Sequence, residues 1–250
     1  MAEPDAFHEA ALPLFEQESV LKPGERLPSY IKDHRKRLRA RFVESGPEAL
    51  PDYELLELAL FFAIPQVDVK PTAKRLIEAF GDFPHVLAAS RPRLEEVKGV
   101  GEAVSLYLKV VEAVAHRMAR GQVLNKPAVS GWDDLLRYCQ TAMAHRSTEQ
   151  FRVLFLDRKN VLIADEAQGS GTVDHVPVYP REVVKRALEL EASALILVHN
   201  HPSGDPTPST EDIAMTENIR QAAEALGLLL HDHLVIGKSR EISFRSEGYL

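Results

Sequence analysis

Near residues 121–131 the hydrophobic period of this 250-residue chain changes, and that change constrains the fold more than any other feature. From about Tyr30 to Arg120 apolar residues recur at helical spacing. Leu50–Phe62 starts behind Pro51 and carries Leu55, Leu56, Leu58 and Leu60, which predicts a strongly apolar helix. Ala73–Phe80 is amphipathic and ends at Gly81, a suitable C-cap. Two further helices are expected at Phe83–Ala89 and Gly101–Arg120. Gly121–Gly131, with Pro127, Ser130 and Gly131, has the composition of a linker.

Beyond it, after a helix at Trp132–Ala144, the period drops to that of strands. Phe151–Leu156 and Val161–Ala164 flank the polar turn Asp157–Asn160 and predict a hairpin. Thr172–Val178 reads as a third strand, and Pro180 opens a helix through Glu182–Leu190. The wholly apolar run Ala194–Val198 predicts a buried strand. A helix at Ser209–Leu226, closed by Gly227, and strands at Leu228–Ile236 and Glu241–Phe244 complete the pattern. The expected class is α/β: a mixed β-sheet flanked by helices over 132–250, preceded by a small all-α domain over 25–121. A linker over 122–131 joins them, and 1–24, ending in Lys22-Pro23-Gly24, is an N-terminal arm.

The composition excludes several classes. No stretch approaches the ~20 apolar residues of a membrane span, and the amino terminus lacks a basic segment before an apolar core. Cys139 is the single cysteine, so no internal disulfide is possible, which suits a cytoplasmic protein. A net charge of −7 gives no global signature of nucleic-acid binding. The basic run Lys32–Arg41 reads as a solvated helix face.

Chemistry concentrates in Val198–Asp212, VHNHPSGDPTPSTED. His199 and His201 stand two apart at the end of the buried strand, so both imidazoles project to one side. Asp212 follows in the first turn of the next helix, after a loop stiffened by Pro202, Pro206 and Pro208. Two imidazoles and a carboxylate suit zinc, and three protein ligands leave a coordination position open, as in catalytic sites. Ser209 to Asp212 also reads as a capping box. A second H-x-H, His231-Asp232-His233, lies within an apolar strand and has no S-x-x-D partner, so it reads as structural. One cysteine cannot supply the P-C-x-x-C of zinc deaminases, and neither H-E-x-x-H nor a complete phosphate-binding G-x-x-x-x-G-K-[ST] loop is present.

The string H-x-H-x₇-S-x-x-D is the signature of JAMM metalloproteases. With YPREVVKRALELEASALILVHN before it and LLLHDHLVIG and SFRSEGYL after it, the chain resembles the RadC family over essentially all of residues 127–250. The amino-terminal half resembles that family more weakly, through ESGPEALPDYELLELAL and LEEVKGVGEA. One departure is Tyr179, where the resemblance leads one to expect His. The resemblance implies a JAMM/MPN domain, cytidine-deaminase-like in fold, with Zn²⁺ held by His199, His201 and Asp212 and a peptide or protein as substrate. It further implies that Glu166 acts as general base, with the adjacent Asp165 as the alternative. Ser209 would donate a hydrogen bond to the developing oxyanion.

Leu94–Leu108 looks like a helix-hairpin-helix, within about 83–118, with its turn at Lys98-Gly99-Val100-Gly101. Backbone amides at Gly99 and Gly101, with Lys98 adding charge, would touch DNA phosphates without sequence preference. A tight interhelical turn with no ligand is the alternative reading, and the RadC family name itself points to a role in DNA repair or recombination.

Overall fold

The computed structural model describes residues 29–170 and 178–250, apart from the side chains of Gly169 and Ser170. The strand expected at Thr172–Val178 falls almost wholly outside these residues. Helices come first: α1 (Ser29–Ser45), α2 (Asp52–Ala63), α3 (Lys70–Phe80), α4 (Phe83–Ala88), α5 (Arg91–Glu95) and α6 (Glu102–Val123). Leu56 and Leu60 of α2 meet Leu76 of α3, Leu94 of α5 and Leu108 of α6 in one buried cluster. Each such leucine contributes about 1.5–3 kcal/mol by leaving water. The basic run on α1 is a solvated face except at Arg35, which is buried. Its guanidinium donates to the carbonyls of Ile64, Pro65 and Val67 at 2.7, 3.1 and 2.6 Å and lies over the Phe61 ring. Arg35 is there because the end of α2 leaves carbonyls without helical donors.

The second half begins with α7 (Trp132–Met143) and continues as β1 (Gln150–Leu156), β2 (Leu162–Ser170), α8 (Pro180–Glu189) and β3 (Ala194–Asn200). It closes with α9 (Thr210–Glu224), β4 (Leu229–Ile236), β5 (Glu241–Ser243) and α10 (Phe244–Glu247). The strands form one mixed sheet in the order β2-β1-β3-β4-β5, in which only β3 and β4 run parallel. Alternation gives β3 two buried faces. Ala194, Ile196 and Val198 pack with Leu135, Tyr138 and Met143 of α7, while Leu195 and Leu197 pack with Val183 and Val184 of α8 and Ile219 of α9. A strand covered on both sides has to be apolar throughout.

The connection between the halves is firmer than its composition suggested. Helix α6 continues through Gly121 to Val123, and Val123 joins the α7 side of the sheet core. Asn125 N donates to Leu162 O, Leu162 N to Lys126 O, and Ala128 N to Asn160 O, so this stretch is laced to the start of β2. At the other end, Phe244, expected in the last strand, instead starts α10, because the Ser243 hydroxyl accepts from Ser246 N and caps a short helix.

Candidate metal centre

The parallel pair β3–β4 delivers the first two candidate ligands. His199 is the next residue after Leu197 on the α8–α9 face, and His201 leaves the strand with its N–H bonded to Ile236 O at 3.0 Å. Asn200 faces the other way and pins the approach to β1, accepting from Gln150 N at 2.9 Å and donating to Thr148 O at 3.2 Å. The loop after His201 is clamped against the β4–β5 turn. A Cβ on Gly204, whose φ is +92°, would stand 2.9 Å from Lys238 Cδ, and one on Gly237 would stand 2.5 Å from Gly204 O. Only glycine fits such approaches. The loop therefore folds back and sets the start of α9 over the strand end.

There Ser209 and Asp212 form a capping box: Ser209 Oγ accepts from Asp212 N at 3.1 Å, and Asp212 Oδ2 accepts from Ser209 N at 2.8 Å. The Ser209 hydroxyl donates to the same Oδ2 at 2.6 Å. The cap thereby fixes the Asp212 carboxylate toward the histidines. His199 Nε2 lies 3.0 Å from His201 Nε2 and 3.3 Å from Asp212 Oδ1, and His201 Nε2 lies 3.5 Å from Asp212 Oδ2. One ligand atom from each residue falls within 4.8 Å of the others. A tetrahedral zinc with ligands at about 2.0–2.1 Å has ligand–ligand edges of about 3.3 Å, so the spacing fits such an ion.

The hydrogen bonds behind the ligands decide which ring nitrogens face inward. His201 Nδ1 is 2.8 Å from Asp205 O, a pure acceptor, so it carries the proton and leaves Nε2 bare. His199 Nδ1 meets His233 Nε2 at 2.8 Å, and His233 Nδ1 meets Thr216 Oγ1 at 2.6 Å. The Thr216 hydroxyl donates to Asp212 O at 2.6 Å, so it accepts from His233 Nδ1–H. His233 Nε2 is then an acceptor, His199 donates through Nδ1, and His199 Nε2 is bare as well. Complete burial, with the His199 ring beside it, pushes His233 well below its ordinary value and favours the neutral form this role needs. Phe151 stacks against His199 at 6.2 Å between centroids and closes the apolar side.

Two bare nitrogens 3.0 Å apart beside a carboxylate call for a shared cation. The hydrogen bond to Asp212, against partial burial, raises His201. Burial alone would raise the Asp212 carboxyl, but the adjoining His199 and His201 rings and the Ser209 hydrogen bond hold it far below the usual carboxylate range. His199 is fully buried, whereas the His201 side chain is 19% exposed, so the cluster opens to solvent on the His201 side.

The remaining expected residues lie apart from this cluster. Glu166 pairs in register with Val153, which pairs with Leu197, so Glu166 shares the sheet face of His199. It stands two strands away, on the order of 10 Å at the usual strand spacing. Its two carboxylate oxygens accept from Arg186 of α8 at 2.8 and 2.6 Å, and those bonds, against slight burial, hold the carboxyl below its ordinary value. Asp165 points to the opposite face, where Arg152 grips both oxygens at 2.8 Å and the Tyr138 hydroxyl donates to one of them. Tyr179 is exposed at the N-cap of α8 under Arg181. In the helical half, Gly99 adopts φ +94° and any Cβ there would lie 2.5 Å from Thr72 Oγ1, while Lys98 O accepts from Arg75. Gly101 is the N-cap of α6, which has no side-chain cap.

Sequence reasoning read His233 as structural and passed over Thr216. The signal was the second H-x-H itself: His231 and His233 alternate with buried Asp232, and parallel pairing sets His233 beside Leu197. His233 is not one of the ligand group, but it is more than a filler of the core.

Fold and site together define a JAB-type domain, with an H-x-H pair at a buried strand end and an S-x-x-D at the start of the following helix. Residues 129–249 match the family described as the RadC-like JAB domain. A UPF0758 protein of Ruegeria pomeroyi is 71% identical over 224 residues, covering 90% of this chain and 100% of the relative. A UPF0758 protein of Rhodobacter capsulatus is 73% identical over 213 residues, covering 85% of this chain and 100% of the relative. The chain belongs to this RadC-like, UPF0758 family. Among the described residues no helix is long and apolar enough to cross a membrane.

Proposed function

We propose that this protein is a zinc-dependent hydrolase of JAMM type, a metallopeptidase or isopeptidase acting on a peptide or protein. The observation that carries the reading is the convergence of two bare Nε2 atoms and one carboxylate, with no fourth protein ligand gathered among the described residues. Zinc held there supplies Lewis acidity toward a carbonyl and toward water. The chain's own residues do the rest. Glu166 takes the proton from the attacking water and passes it to the leaving amine. For that it has to exchange its bonds to Arg186 for the reacting water, on the sheet face it shares with His199. Ser209 turns its hydroxyl from Asp212 to the developing oxyanion while its N–H keeps the carboxylate in place.

The test begins with metal content of purified wild type and His199→Ala by mass spectrometry. About one zinc per wild-type chain, lost in the variant, is expected. Glu166→Gln should then keep the zinc and lose cleavage of peptide and isopeptide substrates by about 100-fold or more. Wild type without zinc after reconstitution would end the hydrolase reading.

A second reading, nonspecific binding of DNA backbone through Lys98, Gly99 and Gly101, is favoured by the left-handed Gly99 before the uncapped N-terminus of the 22-residue helix α6. It predicts an affinity for duplex DNA that falls steeply with salt and is lost in Lys98→Glu. Salt-independent anisotropy would remove it.

A further inference from the structure

Between the helical half and the sheet half lies a cavity of about 280 Å³. Its wall takes His85 from α4, Arg93 from α5, His145 and Arg146 from the α7–β1 connection, and Lys238 from the β4–β5 turn. Pro202, the residue after His201, completes it. A second cavity of about 290 Å³ shares His145 and Lys238 and adds the hydroxyls of Thr141 and Ser239. Among the described residues no carboxylate lines either one. The nearby acid Asp82 is already engaged, accepting from His85 N at 2.8 Å and facing His85 Nδ1 at 2.7 Å.

Five groups able to carry positive charge, drawn from four separate parts of the fold, thus face a shared space whose walls hold no carboxylate, with Asp82 paired to His85 behind it. Arg93 lies over the Phe80 ring and makes no ion pair among the described residues. The rings of His85 and His145 meet at 4.6 Å. His145 Nδ1 and Arg146 Nε are shielded from solvent and have no hydrogen-bond partner. Burial first, with smaller contributions from His85 and Lys238 against the opposing Asp82, pushes His145 below its ordinary value. Like charges gathered this way repel unless an anion joins them.

We propose that this groove binds a phosphate-bearing ligand, one phosphate beside Arg93 and His85 and a second beside Thr141 and Ser239, with His145 and Lys238 between them. Phosphate fits because its oxygens accept from several cationic and hydroxyl donors at once, and the two cavities adjoin at His145 and Lys238. The inference rests neither on the metal cluster nor on the Lys98 turn. It does bear on the metal loop, because Lys238 packs on Gly204 and Pro202 follows His201 directly.

The experiment is a calorimetric titration of the full chain with inorganic pyrophosphate, on wild type, Lys238→Glu, Arg93→Glu and, as a control, Arg117→Glu on the exposed face of α6. Circular dichroism checks that each variant folds. Saturable one-to-one binding with Kd below about 1 mM is expected, weakened about tenfold or more by the two groove variants and unchanged in the control. Absent binding, or equal effects in all three variants, would overturn the proposal. A nucleoside diphosphate and a short single-stranded oligonucleotide then compete with pyrophosphate. Displacement by the first marks a free nucleotide and by the second a phosphodiester chain, while displacement by neither marks an adventitious ion only and ends the proposal.

Discussion

At Asp212 two demands fall on one carboxylate: it closes the capping box of α9 and it faces the two histidines. The pattern S-x-x-D announced both uses, and the structure satisfies them with different contacts of the same group. Ser209→Ala should cost about 0.5–2 kcal/mol in thermal or denaturant unfolding, the usual worth of a cap, and weaken zinc binding as Asp212 loosens. What the sequence could not show was the supporting chain His199–His233–Thr216, because those residues meet only through the pairing of β3 with β4. His233→Leu or Thr216→Val should raise the zinc Kd by about 10–100-fold while all three ligands remain. A Kd unchanged by either, in a competition titration, would show that tautomer control is unnecessary here. The sign of the pH dependence follows from His201. Its raised value means the metal-free fold is favoured by the protonated pair with Asp212 below that value and loses this contribution as pH rises through it. Zinc must displace that proton, so the rise in Tm on adding zinc should grow from about pH 5.5 to about 8. A flat difference would contradict the assignment.

At the scale of elements, alternation separates Asp165 from Glu166. The sequence left the pair open because two adjacent acids on a strand differ only in the face they take. The register of β2 on β1 sends Asp165 to Arg152 and Tyr138 under α7, and Glu166 to the face of His199 under α8. Asp165→Asn should therefore act on folding, leaving Arg152 and Tyr138 short of a buried acceptor, with a loss of about 1–3 kcal/mol. Arg186→Ala should leave zinc content unchanged and return Glu166 toward its ordinary value, since the Arg186 hydrogen bonds are what lower it. An acid-limb shift of the hydrolysis profile to higher pH is the readout, and an unshifted limb would count against Glu166 as base. The short apolar strand Ala194–Val198 and the Gly81 end of α3 were legible because burial on both faces and a positive φ each leave a compositional mark.

For the whole molecule, the change of period near residue 121 located the passage from helices to sheet, but composition overstated its looseness. Gly121 reads as a break, yet one glycine inside a helix costs only about 1 kcal/mol and is outweighed by packing. Leu108 of α6 is buried in the helical core and Val123 in the sheet core, about 22 Å farther along the axis at 1.5 Å per residue. Leu108→Ala and Met143→Ala lie in different cores, and each should cost about 2–5 kcal/mol. Because α6 is common to both, each should lower the same single unfolding transition rather than split it, as calorimetry would show.

That shared helix also decides where the chain can be cut. A fragment starting at Trp132 would bare the patch of α7 and the sheet that Ala119, Val123 and Leu124 cover, and would drop the backbone ladder from Asn125 to Ala128. An excised metal-binding half that stays monomeric and soluble must carry the last turns of α6 with it.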